Sequence, residues 1–334
     1  MIGTSSPAAP TTDHDDLVTT STEFPHTTKG VGSSKTEKQV SATMQESYSG
    51  YVYLDSDKIV FGQRGSDKGQ FKKPSGVVVS DDSEIFVTDS ENFRVQVFRT
   101  DGFYLRSFQT VVPGENNRRM LPRDVAIDGE ACLWVVGRII CDKNTHVIVV
   151  VQYSRDGQPG TKFEVDIFYR AYRRGTPIYT IAVDVHKNKI ILAGSDEVFM
   201  YRPDGSFNQK FRKVQKYYPS FVASDKEHIF VGDKGFVQVY NHTGHWLFRF
   251  GGYGRYEGEL CHPQSILVDT SGHILVANLG TGRVDMFTRW GEFVRTVVST
   301  PSPSGIAIGP RGHLVVTNRY DNTVTIFPPQ DTFL

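Results

Sequence analysis

Arg94-Val-Gln-Val-Phe98 is a short β-branched run closed by an aromatic residue, and it decides the fold because the same pattern returns along the chain. The further copies are Val149-Val-Val-Gln-Tyr153, Glu197-Val-Phe-Met-Tyr201, Phe236-Val-Gln-Val-Tyr240, Arg283-Val-Asp-Met-Phe287 and Thr323-Val-Thr-Ile-Phe327. Copies that recur about every 45 residues indicate one closed repeat architecture rather than several unrelated domains.

Each run belongs to a unit of short strands separated by turn residues. The first unit predicts strands over residues 74–79, 84–88, 95–98 and 104–108, with Asp101-Gly102 as the last turn. Asp-Gly suits a tight hairpin turn because both of its central positions need a positive φ. Four antiparallel strands in each of six units predict an all-β protein, a six-bladed β-propeller.

The two ends of the repeat region complement each other. After Phe327 two prolines follow, and proline cannot donate to a strand ladder, so the sixth unit lacks a fourth strand. An unassigned strand, residues 57–61, lies before the first unit and resembles the fourth strand at 246–250. We therefore expect residues 57–61 to complete the last blade and to remove its open edge.

Composition divides the chain into three parts. Residues 1–48 are rich in Ser and Thr and poor in apolar residues, which predicts a disordered tail. This tail is interpreted either as a phosphorylated linker or as an inert extension. The propeller is expected over residues 51–328, followed by a short C-terminal tail at 329–334.

Charge and cysteine content exclude several classes of protein. Lys and Arg together number 37, as do Asp and Glu, so net charge predicts no partner. The three cysteines form no CxxC pair, which argues against a structural zinc module. No signal peptide is recognisable, and the longest aliphatic run, residues 147–151, is too short to span a bilayer. We expect a cytoplasmic protein with no membrane partner.

The repeat units resemble NHL repeats over about residues 51–327. The first unit reads Gly69-Gln-Phe-x-x-Pro74-x-Gly76-Val-x-Val79, then Ile85-Phe-Val-Thr-Asp89, then Asn92-x-Arg94-Val-x-Val97-Phe98. The fifth and sixth units repeat parts of this pattern, as in Gly258-Glu-Leu-x-x-Pro263 and Leu314-Val-Val-Thr-Asn318.

Paired Phe-Gly-x-x-Gly and Gly-x-Phe/Leu-x-x-Pro segments most resemble the C-terminal propeller of tripartite-motif NHL proteins. That family implies a ubiquitin-ligase context, in which the propeller recruits protein substrates or binds RNA and does not itself catalyse. This chain lacks the zinc-ligating modules and any long heptad stretch, so ligase activity is not expected within it. Whether it is a fragment of a longer product or a separate recognition protein stays open.

Strand order predicts which loops share a face. In an up-and-down blade, the loop leading into strand one (the lead-in loop) and the loop between strands two and three lie at the same end. We call this end the loop face. The candidate binding residues on it are Asn92, Arg94, Arg118, Arg119, Arg123, Arg173, Arg174, Lys216, Tyr217, Tyr218, Tyr253, Arg255, Tyr256, Arg283, Arg319, Tyr320 and Asn322.

Two ligand classes fit this face. A protein substrate or adaptor is the favoured partner, and Tyr and Arg would supply its anchors. Single-stranded or hairpin RNA is the alternative, because cations hold phosphates, aromatic rings stack on bases and Asn reads base edges. Acids such as Glu115 weaken the positive potential of the face, and the Arg of Asn-x-Arg-Val alternatively braces a neighbouring blade.

A metal-dependent hydrolase or lyase is the third possibility. Asp89, Asp233, Asn278 and Asn318 end second strands and could offer oxygen ligands, but turn formation is the favoured interpretation. His228, His273 and His313 precede second strands and are expected to face solvent on the opposite side. We therefore expect no catalytic residue, no metal, no cofactor and no small-molecule substrate.

An insertion at residues 137–146 lengthens the second unit. It is interpreted either as a contact loop or as a tolerated lengthening of the chain, and the second interpretation is favoured.

Overall fold

The computed structural model describes residues 45–47, 50–55, 58–141, 146–165, 180–194, 196–214 and 221–329. Apart from one 3₁₀ turn at Ser90–Asn92, the regular elements in these ranges are β-strands. In the same ranges, no helix is long and apolar enough to cross a membrane. Six antiparallel sheets follow one another along the chain, which confirms the six-bladed β-propeller.

The first three strands join the last blade, and the next twelve form blades 1 to 3. The first three are β1 (Gln45–Ser47), β2 (Gly50–Asp55) and β3 (Lys58–Phe61). Blade 1 holds β4 (Pro74–Val79), β5 (Glu84–Asp89), β6 (Arg94–Arg99) and β7 (Tyr104–Gln109). Blade 2 holds β8 (Leu121–Ile127), β9 (Leu133–Ile140), β10 (His146–Tyr153) and β11 (Pro159–Glu164). Blade 3 holds β12 (Thr180–Asp184), β13 (Lys189–Ala193), β14 (Glu197–Tyr201) and β15 (Phe207–Arg212).

Blades 4 to 6 repeat the arrangement. Blade 4 holds β16 (Phe221–Ser224), β17 (His228–Gly232), β18 (Phe236–Asn241) and β19 (Trp246–Gly251). Blade 5 holds β20 (Pro263–Val268), β21 (Ile274–Asn278), β22 (Arg283–Phe287) and β23 (Phe293–Ser299). Blade 6 begins with β24 (Pro303–Ile308), β25 (His313–Asn318) and β26 (Thr323–Pro329). The first strand of every blade lines a central channel.

The last blade closes the ring as the sequence predicts. Strand β3 pairs antiparallel with β26, and Phe61 lies opposite Val324. Two further strands, β2 and β1, extend this sheet to six strands. Pairing therefore begins at Gln45, inside the segment 1–48 that the sequence assigns to a disordered tail.

The apolar core is divided among the contacts between neighbouring blades. Buried side chains form six clusters, and each cluster joins two adjacent blades. Where blade 6 meets blade 1, the rings of Phe61 and Phe98 lie 4.7 Å apart between centroids. The aromatic residue that closes a repeat run thus packs across a blade boundary, which makes each blade depend on its neighbour.

Glycine in the last turn of a blade has a second role besides its backbone conformation. Gly157 has a φ of +85°, and a Cβ at this position would lie 2.1 Å from the ring of Phe108 in the preceding blade. The glycine is therefore required both by the turn and by the close approach of two blades.

The insertion in blade 2 extends a strand pair. Strands β9 and β10 pair along their whole length, up to His146 opposite Ile140. Both strands therefore continue into the insertion, and residues 142–145 between them lie outside the described residues. The longer ladder carries Arg138 beyond the ends of the shorter second strands.

Candidate functional site

The loops predicted to share the loop face do lie together. In blade 1, the Asn92 side-chain amide donates a hydrogen bond of 2.9 Å to the Gly65 carbonyl oxygen. Arg94 reaches the same lead-in loop, where its Nη2 donates to the carbonyl oxygens of Asp67 and Gln70 at 2.8 Å each. The loop between strands two and three is thus bonded to the lead-in loop of its own blade.

Arg94 is buried and acts as a brace. Its Nε donates to Oδ2 of Asp89 at 2.8 Å, and that carboxylate also accepts from Asn92 and from the Lys72 amide. Burial raises the pKa of the Asp89 carboxyl, and these hydrogen bonds oppose the shift. Gln96 completes the group with a longer bond of 3.3 Å to Asp89. Asn92 and Arg94 therefore hold the lead-in loop of their own blade, whereas the alternative interpretation of Asn-x-Arg-Val expected a brace to a neighbouring blade.

Blade 5 has a similar brace, but its carboxylate and its amide side chain have exchanged positions. Asn278 stands where blade 1 has Asp89, and Asp285 stands where blade 1 has Gln96. Arg283 lies 3.2 Å from the Asp285 carboxylate through its Nε. It also donates to the carbonyl oxygens of Arg255 and Tyr256. Each version contains one carboxylate and one guanidinium, so the charge balance is kept while the strand that supplies the acid changes.

Blade 4 takes its cation from a different element. Asp233 accepts from Gln238 at 3.1 Å, but Phe236 occupies the position of the arginine. The buried Lys213, which follows the last strand of blade 3, lies within electrostatic reach of Asp233 and Asp196. Burial lowers the pKa of Lys213 to about 8 against the pull of these two carboxylates.

Asn322 is also structural. It is buried, its Oδ1 accepts a bond of 2.9 Å from the Lys73 amide, and its Nδ2 donates to the Tyr320 carbonyl oxygen. Because Lys73 leads into blade 1 and Asn322 follows β25, this residue ties the last blade to the first.

The exposed part of the loop face presents tyrosine. Tyr256 is 82% exposed, Tyr320 68% and Tyr253 55%. The Lys234 ammonium lies 5.1 Å from the centroid of the Tyr253 ring. The predicted residues Arg118, Arg119 and Arg255 are exposed as well. Arg173, Arg174, Lys216, Tyr217 and Tyr218 lie outside the described residues.

Acids interrupt the basic residues of this face. Lys162 and Glu115 form an ion pair of 2.7 Å, and Lys73 and Glu91 form one of 2.5 Å. The Arg119 guanidinium lies over the Phe93 ring and donates to the Gln109 side chain. The face is therefore a mixture of charges rather than a continuous positive strip.

The central channel opens on the loop face and encloses about 350 Å³. Its lining changes along the axis, because the first strands all run in the same direction. The residues at the loop-face end include Ser75, Arg123, Thr180, Gln264 and Ser304, whereas those at the far end include Val79, Ile127, Val183, Val268 and Ile308. The channel is thus polar where it meets the loop face and largely aliphatic at the other end.

Arg123 lies in the wall of this channel, on β8, and not in the loop to which the sequence assigns it. Its Nη1 donates to the Ser75 hydroxyl at 2.9 Å. Burial, and then the nearby Arg319 and Arg138 guanidinium groups, lower the pKa of Arg123 to about 10, while Asp124 opposes the shift. Burial also lowers the pKa of Arg319. Arg138 is not among the residues predicted for this face, although the length of the mostly apolar run at 133–140 indicates a strand long enough to place it there.

The oxygen atoms considered for a hard cation are used within the chain. Asp233 accepts from the Gly235 and Phe236 amides, and Asn318 accepts from the Tyr320 and Asp321 amides. Within the described ranges, no group of three or more His, Cys, Asp or Glu residues is placed to hold a metal ion. These side chains form turns and braces, as the favoured interpretation expected.

The expected exposure of the three turn histidines is wrong for His228. His228 is buried, with its Nδ1 3.4 Å from an Asp225 carboxylate oxygen. His273 lies 3.1 Å from Asp269 in the equivalent turn and is partly buried. The aspartate of the turn holds the imidazole inward, and the alternation of residues along a strand does not predict this contact.

Comparison with known proteins agrees with this geometry. The NHL repeat family matches residues 71–98 and 300–327, which belong to the first and the last blade. The chain carries NHL repeats. It is 30% identical over 154 residues to Protein brain tumor of Drosophila melanogaster. That match covers 45% of this chain but 13% of the relative, so the chain spans a small part of that protein.

Solved structures with the same architecture have diverse functions. A protein of unknown function from Bacteroides thetaiotaomicron has a TM-score of 0.60 at 11% identity, covering 86% of this chain and 83% of its own. A gluconolactonase of Xanthomonas campestris has a TM-score of 0.56 at 15% identity, covering 81% and 88%. Virginiamycin B lyase of Staphylococcus aureus has a TM-score of 0.55 at 15% identity, covering 82% and 89%. At these identities the likeness shows the fold alone.

Proposed function

We propose that this chain is a non-catalytic recognition propeller that binds a protein partner through its loop face. The observation that carries the proposal is the exposure of three tyrosines, Tyr253, Tyr256 and Tyr320, in loops of the face that also holds the channel mouth. Tyrosine is enriched among the residues that dominate binding energy at protein interfaces, because it buries a large ring and keeps a polar tip.

The charges of the face favour a protein over a nucleic acid. Arg94 and Arg283 donate to carboxylates and carbonyl oxygens of the chain itself. Glu115 and Glu91 lie among the remaining cations and pair with two of them. A nucleic-acid backbone is held by a groove of free cations along its length, whereas a protein interface accommodates mixed charges around aromatic anchors.

The resemblance to tripartite-motif NHL proteins adds a cellular role to the proposal. In that family the propeller selects the substrate, and separate zinc-binding modules carry out ubiquitin transfer. We propose the same division of labour for this chain, with substrate selection on the loop face and ubiquitination in the cytoplasm as its context.

Crosslinking in cells, with protein and RNA both recovered, tests the proposal. The wild-type chain is compared with the double variant Tyr256→Ser/Tyr320→Ser. Phe207→Ser, at an exposed position that begins β15 of blade 3, is the control. Loss of two anchors should reduce the recovery of crosslinked protein about tenfold or more, with the control unchanged. Recovery of RNA alone, or equal recovery of protein by all three chains, would contradict it.

A further inference from the structure

Three arginines converge on the loop-face mouth of the channel. Arg123 projects from β8, Arg138 lies near the end of β9, and Arg319 directly follows β25. Arg123 donates to the Ser75 hydroxyl at 2.9 Å, and Thr317, two residues before Arg319, donates to the Ser75 carbonyl oxygen at 2.7 Å. Blades 2 and 6 thus bring their cations together over the first strand of blade 1.

These arginines have no ion-pair partner among the described residues. The nearest acids, Asp124 and Glu91, have other partners. Asp124 accepts from the Ile181 amide and lines the channel, and burial raises the pKa of its carboxyl. Glu91 acts on Arg319 electrostatically but forms its ion pair with Lys73. The mouth therefore holds an excess of positive charge, which is costly in a partly buried place unless an anion joins it.

Neutral donors surround the same point. The channel end includes the hydroxyls of Ser75, Thr180 and Ser304 and the amide of Gln264. Thr180 is buried, and its Oγ1 has no hydrogen-bond partner within the part of the chain that the structure describes. A buried hydroxyl without a partner loses free energy, so a ligand that accepts from it would be favoured.

The arrangement suits one compact planar anion. A guanidinium group presents donors in a rigid fork that matches the two oxygens of a carboxylate. Elsewhere on the face Lys73, Lys162, Arg94 and Arg283 pair with acids of the chain, so the unpaired cations do not form a continuous track for a long polyanion. A narrow channel that becomes aliphatic below the mouth fits a short extended peptide segment.

We propose that the channel mouth binds a carboxylate group of the partner protein, with Arg123 as its direct ligand and Arg319 and Arg138 beside it. The carboxylate comes either from the C-terminus of the partner chain or from an Asp or Glu side chain. This inference rests on the proposed function, because it names the chemical group that the loop face selects.

Four pools of N-acetylated mixed-sequence heptapeptides test the inference on the immobilised full chain. The first two pools lack Asp and Glu and differ only in a free or an amidated C-terminus. The other two are amidated and differ only in a central Asp or Asn. A mixed-sequence single-stranded RNA pool is the fifth probe. Mass spectrometry measures the fraction of each peptide pool that is retained, and fluorescence measures the RNA.

One carboxylate pool should be retained about tenfold or more above its neutral match, since a hydrogen-bonded charge pair is replaced by an uncharged contact. Arg123→Gln and Arg319→Gln should each abolish that preference, whereas Arg202→Gln, on an exposed arginine near the last turn of blade 3, should keep it. The first pair of pools identifies a chain terminus, and the second pair identifies an acidic side chain. Melting temperatures of the variants establish that each one is folded.

Equal retention of charged and neutral peptides, or a preference that survives in Arg123→Gln, overturns the inference. Retention of RNA that depends on Arg123, without a peptide preference, overturns it as well and assigns the mouth to phosphate. The cellular crosslinking experiment separates the two proposals. If Tyr256→Ser/Tyr320→Ser loses its protein partner while Arg123→Gln keeps it, protein recognition stands and the carboxylate site fails alone.

Discussion

Two sets of arginines lie on the same face of this propeller and differ in what surrounds them. Arg94 and Arg283 begin third strands, and each meets a buried carboxylate and two carbonyl oxygens of a lead-in loop. Arg123 and Arg319 lie at the channel mouth, where a serine hydroxyl accepts from Arg123 and other guanidinium groups are close. The first set is paired with acids of the chain, and the second has no ion-pair partner among the described residues.

The difference shows that residue type and face are insufficient to assign a binding role. A third-strand arginine points at the lead-in loop of its own blade, because the two loops cover the same end of the sheet. Arg123, on a first strand, lines the channel instead, and its guanidinium donates to the Ser75 hydroxyl of the neighbouring blade. Backbone position within the blade therefore decides whether an arginine is satisfied by the chain itself.

Removing the carboxylate of a brace should have the largest effect. Asp89→Ala leaves Arg94 buried without its counter-ion and the Lys72 amide without its acceptor. We expect the free energy of unfolding to fall by about 3–5 kcal/mol, as when one partner of a buried pair is removed. Chemical denaturation measures the change. Asp81→Ala in an exposed turn is the control, and a loss at Asp89 no larger than at Asp81 would remove the distinction between the two sets.

The pH dependence of stability tests whether burial of Lys213 outweighs the pull of the two carboxylates near it. The pKa of Lys213 is about 8 in the folded chain, below its ordinary value of 10.5. Between these pH values the unfolded chain binds a proton that the folded chain does not, so the free energy of unfolding rises with pH across this window. Relative to Lys213→Met, the wild-type chain should gain up to ~3 kcal/mol as pH increases from 8 to above 10.

Urea denaturation at pH 7, 8, 9 and 10 follows the difference between the two chains. Lys210→Met removes an exposed lysine three residues earlier and should reproduce the wild-type slope. A difference that stays constant with pH would mean that burial does not lower the pKa of Lys213 in the folded chain.

The blade architecture is predictable from the sequence because strand alternation and turn residues depend only on positions close together in the chain. The closing runs place the third strands, and the orphan segment at 57–61 is recognisable from its likeness to Trp246–Gly251. The roles of the arginines are not local. Arg94 and Arg319 both follow second strands, and the chain alone does not show that one meets Asp89 while the other meets Arg123. Arg138 is not recognisable as a site residue in the sequence, because the length of the β9–β10 pair, and not a motif, brings it to the channel mouth.

Arg123→Met should have the smallest effect on stability, and it tests most directly whether the two sets of arginines differ. Arg94→Met and Arg123→Met are the same substitution on the same face. At Arg94 the substitution leaves the buried Asp89 carboxylate without its counter-ion, which should lower the free energy of unfolding by about 3 kcal/mol. At Arg123 it removes one hydrogen bond to Ser75 but also a partly buried charge beside two like charges. Replacing such a charge with an apolar side chain of similar length is often neutral or stabilising, so we expect a change within about 1 kcal/mol. A loss at Arg123 as large as that at Arg94 would show that the mouth arginines also hold the fold together, and the channel mouth would then have no free cation to offer a ligand.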